Sequence, residues 1–221
     1  MTSDTLTVRR FASYCLSVSS VLADPPDATS IEHRAIEATL ACIARHGLGK
    51  TTVDDVARQT ECARATLYRY FGGKQELVAA TVNTEAARIA RRVQAAAADA
   101  GTLEDAVMAI LATAAAELSG NAALQFVATH EPERLLPHLT FAGGDRFLAA
   151  AGPALQPCLA PYVPADRLPR AAEWVARVGL ALLFSPTSPL SLGDLDHTRT
   201  YVREFVLPAV QPTSVPVRPR G

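Results

Sequence analysis

Two short amphipathic segments, separated by a tight turn, constrain the fold of this chain more than any other feature. They cover residues 52–60 and residues 63–71. Their apolar side chains recur at the three- and four-residue intervals of a helix: Val53, Val56 and Ala57 in the first, Leu67 and Phe71 in the second. A short helix can brace a second, polar-faced helix so that the second fits a DNA major groove, which is about 12 Å wide. The pattern therefore predicts a helix-turn-helix.

Helical patterns also dominate the rest of the chain. Ser30 and Thr102 are residue types that cap helix N-termini, and Gly47 is typical of a helix end. Further helices are predicted from Lys74 onward and over residues 102–118, 121–130, 140–151, 167–184 and 194–208, with interruptions at Glu131-Pro132 and Leu136-Pro137. Sustained period-two alternation and Asn-Gly or Asp-Gly turns, the signals of strands and hairpins, are absent from the sequence. These features predict an all-α fold.

Changes in composition divide the chain into four parts. Residues 1–29 end near an Asp-Pro-Pro-Asp turn, and residues 210–221 are rich in proline, so we expect both to be disordered tails. Residues 30–75 contain the short helices and are expected to form the helix-turn-helix domain. Residues 76–209 contain the longer helical patterns and are expected to form a second helical domain.

Charge and cysteine content exclude several classes of protein. The net charge is −1, which excludes a chain that coats nucleic acid along its whole length. No run of 18 apolar residues is present, so no transmembrane helix is predicted. The four cysteines form no CxxC motif and predict reduced thiols in a cytoplasmic protein. Residues 9–23 loosely resemble a secretory signal, but the serines in their apolar stretch favour a flexible tail instead.

The outer face of the second short segment carries groups that contact nucleic acid. Its polar side chains can donate hydrogen bonds to phosphates or base edges: Arg64, Thr66, Tyr68, Arg69 and Tyr70. Lys74 lies at the start of the next helix, where an ammonium group and free backbone amides together attract phosphate. Residues 30–75 contain seven basic and five acidic residues, whereas residues 76–221 contain 12 basic and 14 acidic residues. The charge distribution therefore agrees with a nucleic-acid interface at this helix.

Residues 34–80 resemble the DNA-binding domain of the TetR/AcrR family of bacterial transcriptional regulators. The matching words are Thr-Thr-Val-Asp-Asp-Val-Ala-Arg, Arg-Ala-Thr-Leu-Tyr-Arg-Tyr-Phe and Gly-Lys-Gln-Glu-Leu. The resemblance implies an all-helical homodimer with an N-terminal helix-turn-helix and a C-terminal ligand-binding and dimerisation domain. It implies a function as a ligand-responsive regulator, most often a repressor, that binds double-stranded operator DNA.

The resemblance also implies roles for individual residues. Thr52 matches the residue that caps the second helix and touches phosphate, and Arg64, Ala65 and Thr66 match the base-reading start of the recognition helix. The remaining matches are phosphate contacts at Tyr68, Tyr70 and Lys74, and a base or phosphate contact at Arg69. The sequence departs from the family in the turn, where Glu61-Cys62-Ala63 replaces the usual Gly-Val-Ser. Ala63 cannot cap the recognition helix, and Glu61 occupies a position where glycine is freer.

The second domain offers candidate pocket and interface residues. Ligand sites in helical proteins form between bundle helices, and apolar side chains that can line such a site or fill a core are Met108, Leu111, Phe126, Phe141, Phe147 and Trp174. This composition favours an apolar or amphipathic small-molecule effector. The final two helices form the dimer interface in the family, and Val178, Leu182, Tyr201 and Phe205 fit that role, although burial within one subunit is the alternative.

Other kinds of functional site are poorly supported by the sequence. His130, Glu131 and His138 lack the spacing that places two ligands on one helical face, so no metal is expected. Nucleophile-elbow and phosphate-loop motifs are also missing, and no cofactor is expected. Two alternatives to a regulator are a helical-bundle enzyme, for which no acid-base cluster is found, and an adaptor protein with a degenerate helix-turn-helix.

Overall fold

A computed structural model of the chain describes Asp27, residues 30–184 and residues 194–211. The helices are α1 (Ile31–Lys50), α2 (Val53–Thr60), α3 (Arg64–Phe71), α4 (Lys74–Ala97), α5 (Leu103–Gly120), α6 (Ala122–His130), α7 (Pro132–Leu139), α8 (Phe141–Leu159), α9 (Leu168–Phe184), α10 (Leu195–Tyr201) and α11 (Leu207–Val210). A π-helical turn, Val202–Val206, joins the last two. No strand occurs among the described residues, and the predicted all-α class is confirmed. The predicted disordered tails lie outside these residues for the most part.

Polar side chains determine where three of the helices begin. The Ser30 hydroxyl accepts a hydrogen bond from the His33 backbone N–H, 3.0 Å away. Thr102 accepts one from the Asp105 N–H at 3.1 Å. Thr52 forms a capping box, because its hydroxyl accepts from Asp55 N–H while the Asp55 carboxylate accepts from Thr52 N–H. Each bond satisfies an amide that the first helical turn leaves without a partner, so the predicted caps are confirmed.

Prolines interrupt the helices less than the sequence predicted. Pro132 begins α7, where a missing N–H costs nothing, but Pro137 lies inside the same helix and does not end it. The predicted helix over residues 140–151 continues to Leu159 through Pro153 and Pro157. A proline removes only one backbone hydrogen bond, and the buried face of α8 beyond it, which includes Ala154, Cys158 and Leu159, packs against other helices and keeps the helix in place.

Gly47 breaks α1 near its end, as its residue type predicted. It adopts φ 83° and ψ 164°, outside the helical region. One further turn follows, because Thr51 donates to the Gly47 carbonyl through both its N–H, at 3.2 Å, and its hydroxyl, at 2.7 Å. The backbone at the break lies directly against α6, since a Cβ added to Gly47 would be 2.8 Å from the Phe126 ring. A glycine is therefore needed here both for its conformation and for its size.

Two hydrophobic cores share helix α4. The N-terminal core joins α1, α2, α3 and the start of α4, where Leu77 is buried, and Cys42 and Cys62 pack in it. The C-terminal core joins α5, α8, α9 and the last helical segments to Val93 and Ala97 near the end of α4. Cys158 also packs there, whereas Cys15 lies outside the described residues. A single rigid helix thus connects the two cores.

None of the described helices is by itself long and apolar enough to span a membrane. The bent pair α5 and α6, with an angle of 79° between its helices, reaches that length and hydropathy only as a pair.

We expect Gly47→Ala to lower the free energy of unfolding by about 2 kcal/mol, because the added methyl group meets Phe126 and Glu131 at a positive φ. Gly120→Ala is the matched control, since a Cβ at that exposed helical position meets no atom within 4 Å. Urea unfolding followed by circular dichroism measures both. Equal stability of the two variants would contradict the close approach of α6 to Gly47.

Candidate nucleic-acid interface and cavity

The turn between α2 and α3 contains a strained residue. Glu61 adopts the left-handed conformation, φ 53° and ψ 35°, and among the described residues it is the one non-glycine with a positive φ. This conformation costs a non-glycine residue about 1–2 kcal/mol. The Cys62 N–H closes the turn by donating to the Ala57 carbonyl at 3.1 Å. The turn that the family usually makes with glycine therefore forms here at an energetic cost.

Helix α3 presents its polar side to solvent and its apolar side to the N-terminal core. Leu67 is 1% exposed and Phe71 is half-buried against the same core, as predicted from their spacing. The opposite side of the helix is polar, and its members with exposed side chains are Arg64, Ala65, Tyr68, Arg69 and Tyr70, with Thr66 half-buried. Ala63 precedes the helix without a capping hydrogen bond, as its side chain requires. The structure thus brings together the predicted residues of the recognition helix.

Two arginine–tyrosine pairs organise this polar face. The Arg64 guanidinium donates to the Tyr68 hydroxyl at 3.2 Å and lies 5.2 Å from the centre of its ring. It also pairs with Asp54 of α2 at 3.0 Å. The hydrogen bond to Tyr68 and the charge of Asp54 raise the pKa of Arg64. Arg69 lies 5.6 Å from the centre of the Tyr70 ring. Both guanidinium groups are therefore held beside exposed phenol groups on one surface.

Thr52 is exposed at the start of α2. Its hydroxyl accepts from the Asp55 N–H and donates to the Asp55 carboxylate at 2.6 Å. These bonds to Thr52 lower the pKa of Asp55. The capping function expected for Thr52 is therefore present, and its hydroxyl oxygen retains one lone pair toward solvent.

Lys74 at the start of α4 is directed toward the end of α1. Its ammonium group donates to the carbonyls of Leu48 at 2.9 Å and Gly49 at 3.0 Å. Burial lowers the pKa of Lys74. Because an ammonium group has three N–H donors, one remains for the phosphate contact that the resemblance implies. Sequence reasoning did not foresee the two carbonyl contacts.

Glu131, between α6 and α7, binds the same segment of α1. Its carboxylate accepts hydrogen bonds from the backbone N–H groups of Leu48 at 2.8 Å and Gly49 at 3.1 Å. The sequence drew attention to Glu131 only as part of a weak metal pattern, and among the described residues no group of three potential metal ligands occurs. The signal that could have revealed its contact is the pair of glycines at 47 and 49, which permits close approach of another backbone or side chain.

An apolar cavity of about 360 Å³ lies behind the helix-turn-helix, between α1 and α4 to α9. Most of its wall is aliphatic, with examples at Ile43, Val82, Ile89, Leu118 and Leu183. Of the six predicted pocket residues, Leu111 and Phe147 line it.

The other predicted pocket residues lie elsewhere. Met108 is buried in the C-terminal core, and Trp174 is 40% exposed on α9. Phe126 stacks on His130, with 4.5 Å between ring centres, beside Gly47. The side chain of Phe141 lies outside those that the structure describes. Helix α5 is apolar around most of its circumference, so its sequence cannot distinguish the cavity face from the core face.

Glu85 and Arg134 are the charged members of the described cavity wall. Glu85 is buried, but its carboxylate accepts hydrogen bonds from Arg88 at 2.8 Å and Asn121 at 2.9 Å. The hydrogen bond to Glu85 raises the pKa of Arg88, which also contacts Glu117. The negative charge of Glu85 is therefore compensated within the wall.

The residues predicted for a dimer interface divide into two groups. Val178 and Leu182 are each 7% exposed and pack in the C-terminal core of their own protomer, so the assignment of these two to the interface is corrected. Tyr201 is half-buried against that core. Phe205 is 60% exposed and lies 5.3 Å from the Tyr201 ring, centre to centre. The large apolar side chains that α9 and α10 leave exposed are Trp174, Phe184 and Leu195.

Comparison with known proteins identifies the family. Residues 35–81, which contain α2, α3 and the start of α4, match the profile of bacterial regulatory proteins of the tetR family. Over 171 residues the chain is 30% identical to an HTH-type transcriptional regulator of Mycobacterium tuberculosis, with 76% of this chain and 80% of the relative covered. The chain belongs to the TetR family of transcriptional regulators.

Solved TetR-family structures share the fold. The TetR-family repressor AlkX from Dietzia sp., implicated in biodegradation of n-alkanes, has a TM-score of 0.63 at 19% identity, covering 84% of this chain and 100% of AlkX. The fatty acid degradation regulator FadR from Bacillus halodurans has a TM-score of 0.54 at 15% identity, covering 79% of this chain and 95% of FadR.

Membership of the TetR family indicates which kind of function the chain has. The family's regulators bind operator DNA, typically as dimers that respond to small-molecule effectors, and they are not enzymes. The helical-bundle enzyme is thereby set aside. The chain is therefore a DNA-binding transcriptional regulator, and α3 lies within the residues that match the family.

Proposed function

We propose that this TetR-family regulator is a repressor, released from its operator by a small apolar or amphipathic effector that occupies the cavity. The observation that carries the proposal is the cavity itself, whose wall is aliphatic and reaches Leu48 at the end of α1, beside the helix-turn-helix. Burial of aliphatic surface contributes about 25 cal/mol per Å², so such a wall selects molecules with a large apolar part. A small polar anion would gain little from it.

The functional division of the chain follows from the two cores. We assign residues 30–75 to DNA binding and residues 76–209 to effector binding and dimerisation. Helix α4 belongs to both parts, since Leu77 packs in one core and Val93 in the other, while Val78, Val82 and Ile89 between them line the cavity. A shift of α4 on effector binding would therefore move α3 as well.

A second copy of this chain is the proposed partner of the exposed apolar side chains of α9, α10 and the π-helical turn. Phe205 and Leu195 are more than half exposed, and Trp174 and Phe184 add aromatic area on the preceding helix. Aromatic residues are enriched at protein interfaces. A dimer built on these helices would present two copies of α3 to successive major grooves, about 34–36 Å apart.

The response to an effector is a shift between two states of this dimer. An effector favours the state with the wrong spacing of recognition helices only by as much as it binds that state more tightly. The cavity touches α1, α4 and α6, and these helices position the helix-turn-helix. Cavity occupancy is thereby coupled to the placement of α3.

Selection of duplexes from a random pool at two salt concentrations tests DNA binding by this chain. We expect enrichment of a pseudo-palindrome and a steep loss of affinity with salt, because several phosphate contacts release counterions. Absence of any retained duplex at low salt, with the fold intact, would favour the adaptor alternative. Glu61 supports that alternative, since it adds an exposed negative charge beside α3.

We expect Tyr68→Phe and Lys74→Ala each to weaken binding to every duplex by about three- to tenfold, because each removes a hydrogen-bond donor to phosphate. Thr66→Ala should instead change the preferred base sequence. Arg170→Ala, at an exposed position of α9, is the control. Fluorescence anisotropy with the selected operator and its mismatched versions measures these effects. Unchanged affinity in both phosphate variants would contradict the proposed docking.

We expect Ala90→Phe to reduce the affinity for 1-decanol at least about tenfold, because the added ring fills part of the cavity. Ala95→Phe adds the same ring at an exposed position of α4 and should have no effect. Isothermal titration calorimetry measures both. Wild-type affinity for decanol in the Ala90 variant would show that decanol binds elsewhere.

A further inference from the structure

Glu85 and Arg134, the two charged residues in the described cavity wall, differ in how far their charges are already paired. Glu85 is already satisfied by Arg88 and Asn121, as described above. Arg134 is half-exposed, and among the described residues its guanidinium has one ionic partner, Glu131, at the long distance of 3.7 Å. A guanidinium has five N–H donors in a planar fork that matches a carboxylate or phosphate group. Arg134 therefore has unused donors at the edge of an apolar cavity.

The negative charges near Arg134 and Lys74 are already engaged by other groups. Lys74 is close enough for the charge of Arg134 to contribute to the lowering of the Lys74 pKa, after burial as the main cause. The nearby carboxylate, Glu131, is engaged with the backbone N–H groups of Leu48 and Gly49. Glu131 and Asp55 oppose the effect of Arg134 on Lys74, but the oxygens of Glu131 are already hydrogen-bonded to α1 and those of Asp55 to Thr52. An additional anion at this position would reduce the repulsion between Arg134 and Lys74.

Arg134 also lies beside the backbone of α1. A Cβ added to Gly49 would be 2.8 Å from its guanidinium nitrogen Nη2 and 2.8 Å from Glu131 Oε1. Leu48, the residue before it, is itself part of the cavity wall. The polar end of the cavity is therefore formed where α7 meets the end of α1, and its aliphatic remainder extends along α4, α5, α8 and α9.

We propose that the effector is an aliphatic chain with an anionic head, a carboxylate or a phosphate monoester, and that Arg134 binds that head. This inference rests on the proposed function, because it specifies which amphipathic molecule the cavity takes. The chain is buried against the aliphatic wall, and the head pairs with the guanidinium fork of Arg134 near Lys74. The head then competes with Glu131 for Arg134, at the segment where Glu131 and Lys74 hold the end of α1.

The test is a comparison of three probes that share one chain: decanoate, decyl phosphate and 1-decanol. Isothermal titration calorimetry on the full chain should give at least about tenfold tighter binding for an anionic probe than for decanol, because charge-assisted hydrogen bonds to arginine are the stronger ones. The preference should shrink as salt is added, since the site is half-exposed. Whichever anion binds more tightly identifies the head group as carboxylate or phosphate.

Arg134→Gln separates recognition of the head from a structural effect. We expect it to abolish the preference for the anionic probes while the affinity for decanol stays within about twofold, because the aliphatic wall is unchanged. Arg134→Lys should keep part of the preference, since the charge remains without the fork. Arg177→Gln, which removes an exposed guanidinium of α9 paired with Glu173, is the control and should keep the full preference.

The outcomes distinguish this inference from the function on which it rests. Equal affinity of the wild-type chain for decanol and the anionic probes would overturn the anionic head but leave an apolar effector standing. Equal weakening of all three probes by Arg134→Gln would also overturn it, because the residue would then act only on the shape of the cavity. Failure of all three probes to bind would overturn the aliphatic effector itself.

Discussion

The short stretch of backbone from Gly47 to Gly49 is the point on which the arrangement of the two domains depends. Its N–H groups donate to Glu131, between α6 and α7, and its carbonyls accept from Lys74 at the start of α4. A carboxylate on backbone donors and an ammonium group on backbone acceptors are both charge-assisted, and such bonds are about twice as strong as neutral ones. One turn of helix thereby holds together the helix-turn-helix, the long helix α4 and the wall of the cavity.

In the proposed mechanism, the same stretch connects the cavity to the helix-turn-helix without a long chain of contacts. Leu48 belongs to the wall and to the bonded segment at once. Helix α4 adds a second connection, because it is packed in the N-terminal core at one end and the C-terminal core at the other. The Gly47–Gly49 stretch and α4 both connect the helix-turn-helix to the C-terminal helices. Together they restrict the relative motion of these two parts to a few directions. This restriction is compatible with a switch between discrete states.

Short-range patterns made the DNA-binding part of this chain predictable. The caps at Ser30, Thr52 and Thr102 depend on neighbours three residues away, and the buried face of α3 follows from helical spacing. Such patterns could predict neither the cavity nor the hydrogen bond that the Leu48 N–H donates to Glu131. That bond joins residues 83 positions apart in the sequence. A helix that is apolar on several sides, such as α5, can face a core or a cavity equally well. Val178 was misassigned for the same reason, because apolar character alone does not separate internal from external contacts.

The π-helical turn Val202–Val206 changes which side chains the last helical segments expose. A π turn accommodates one residue more than an α turn, so it rotates everything after it around the helix axis by the angle of one residue. Val202, Val206, Leu207 and Val210 all remain buried across the turn, while Phe205 is displaced outward. The exposure of the Phe205 ring therefore depends on the rotation that the π-helical turn introduces. Deleting one residue from the turn would rotate the segment that follows by about 100°, which would bring a different set of its side chains toward the core without any change in its hydrophobicity.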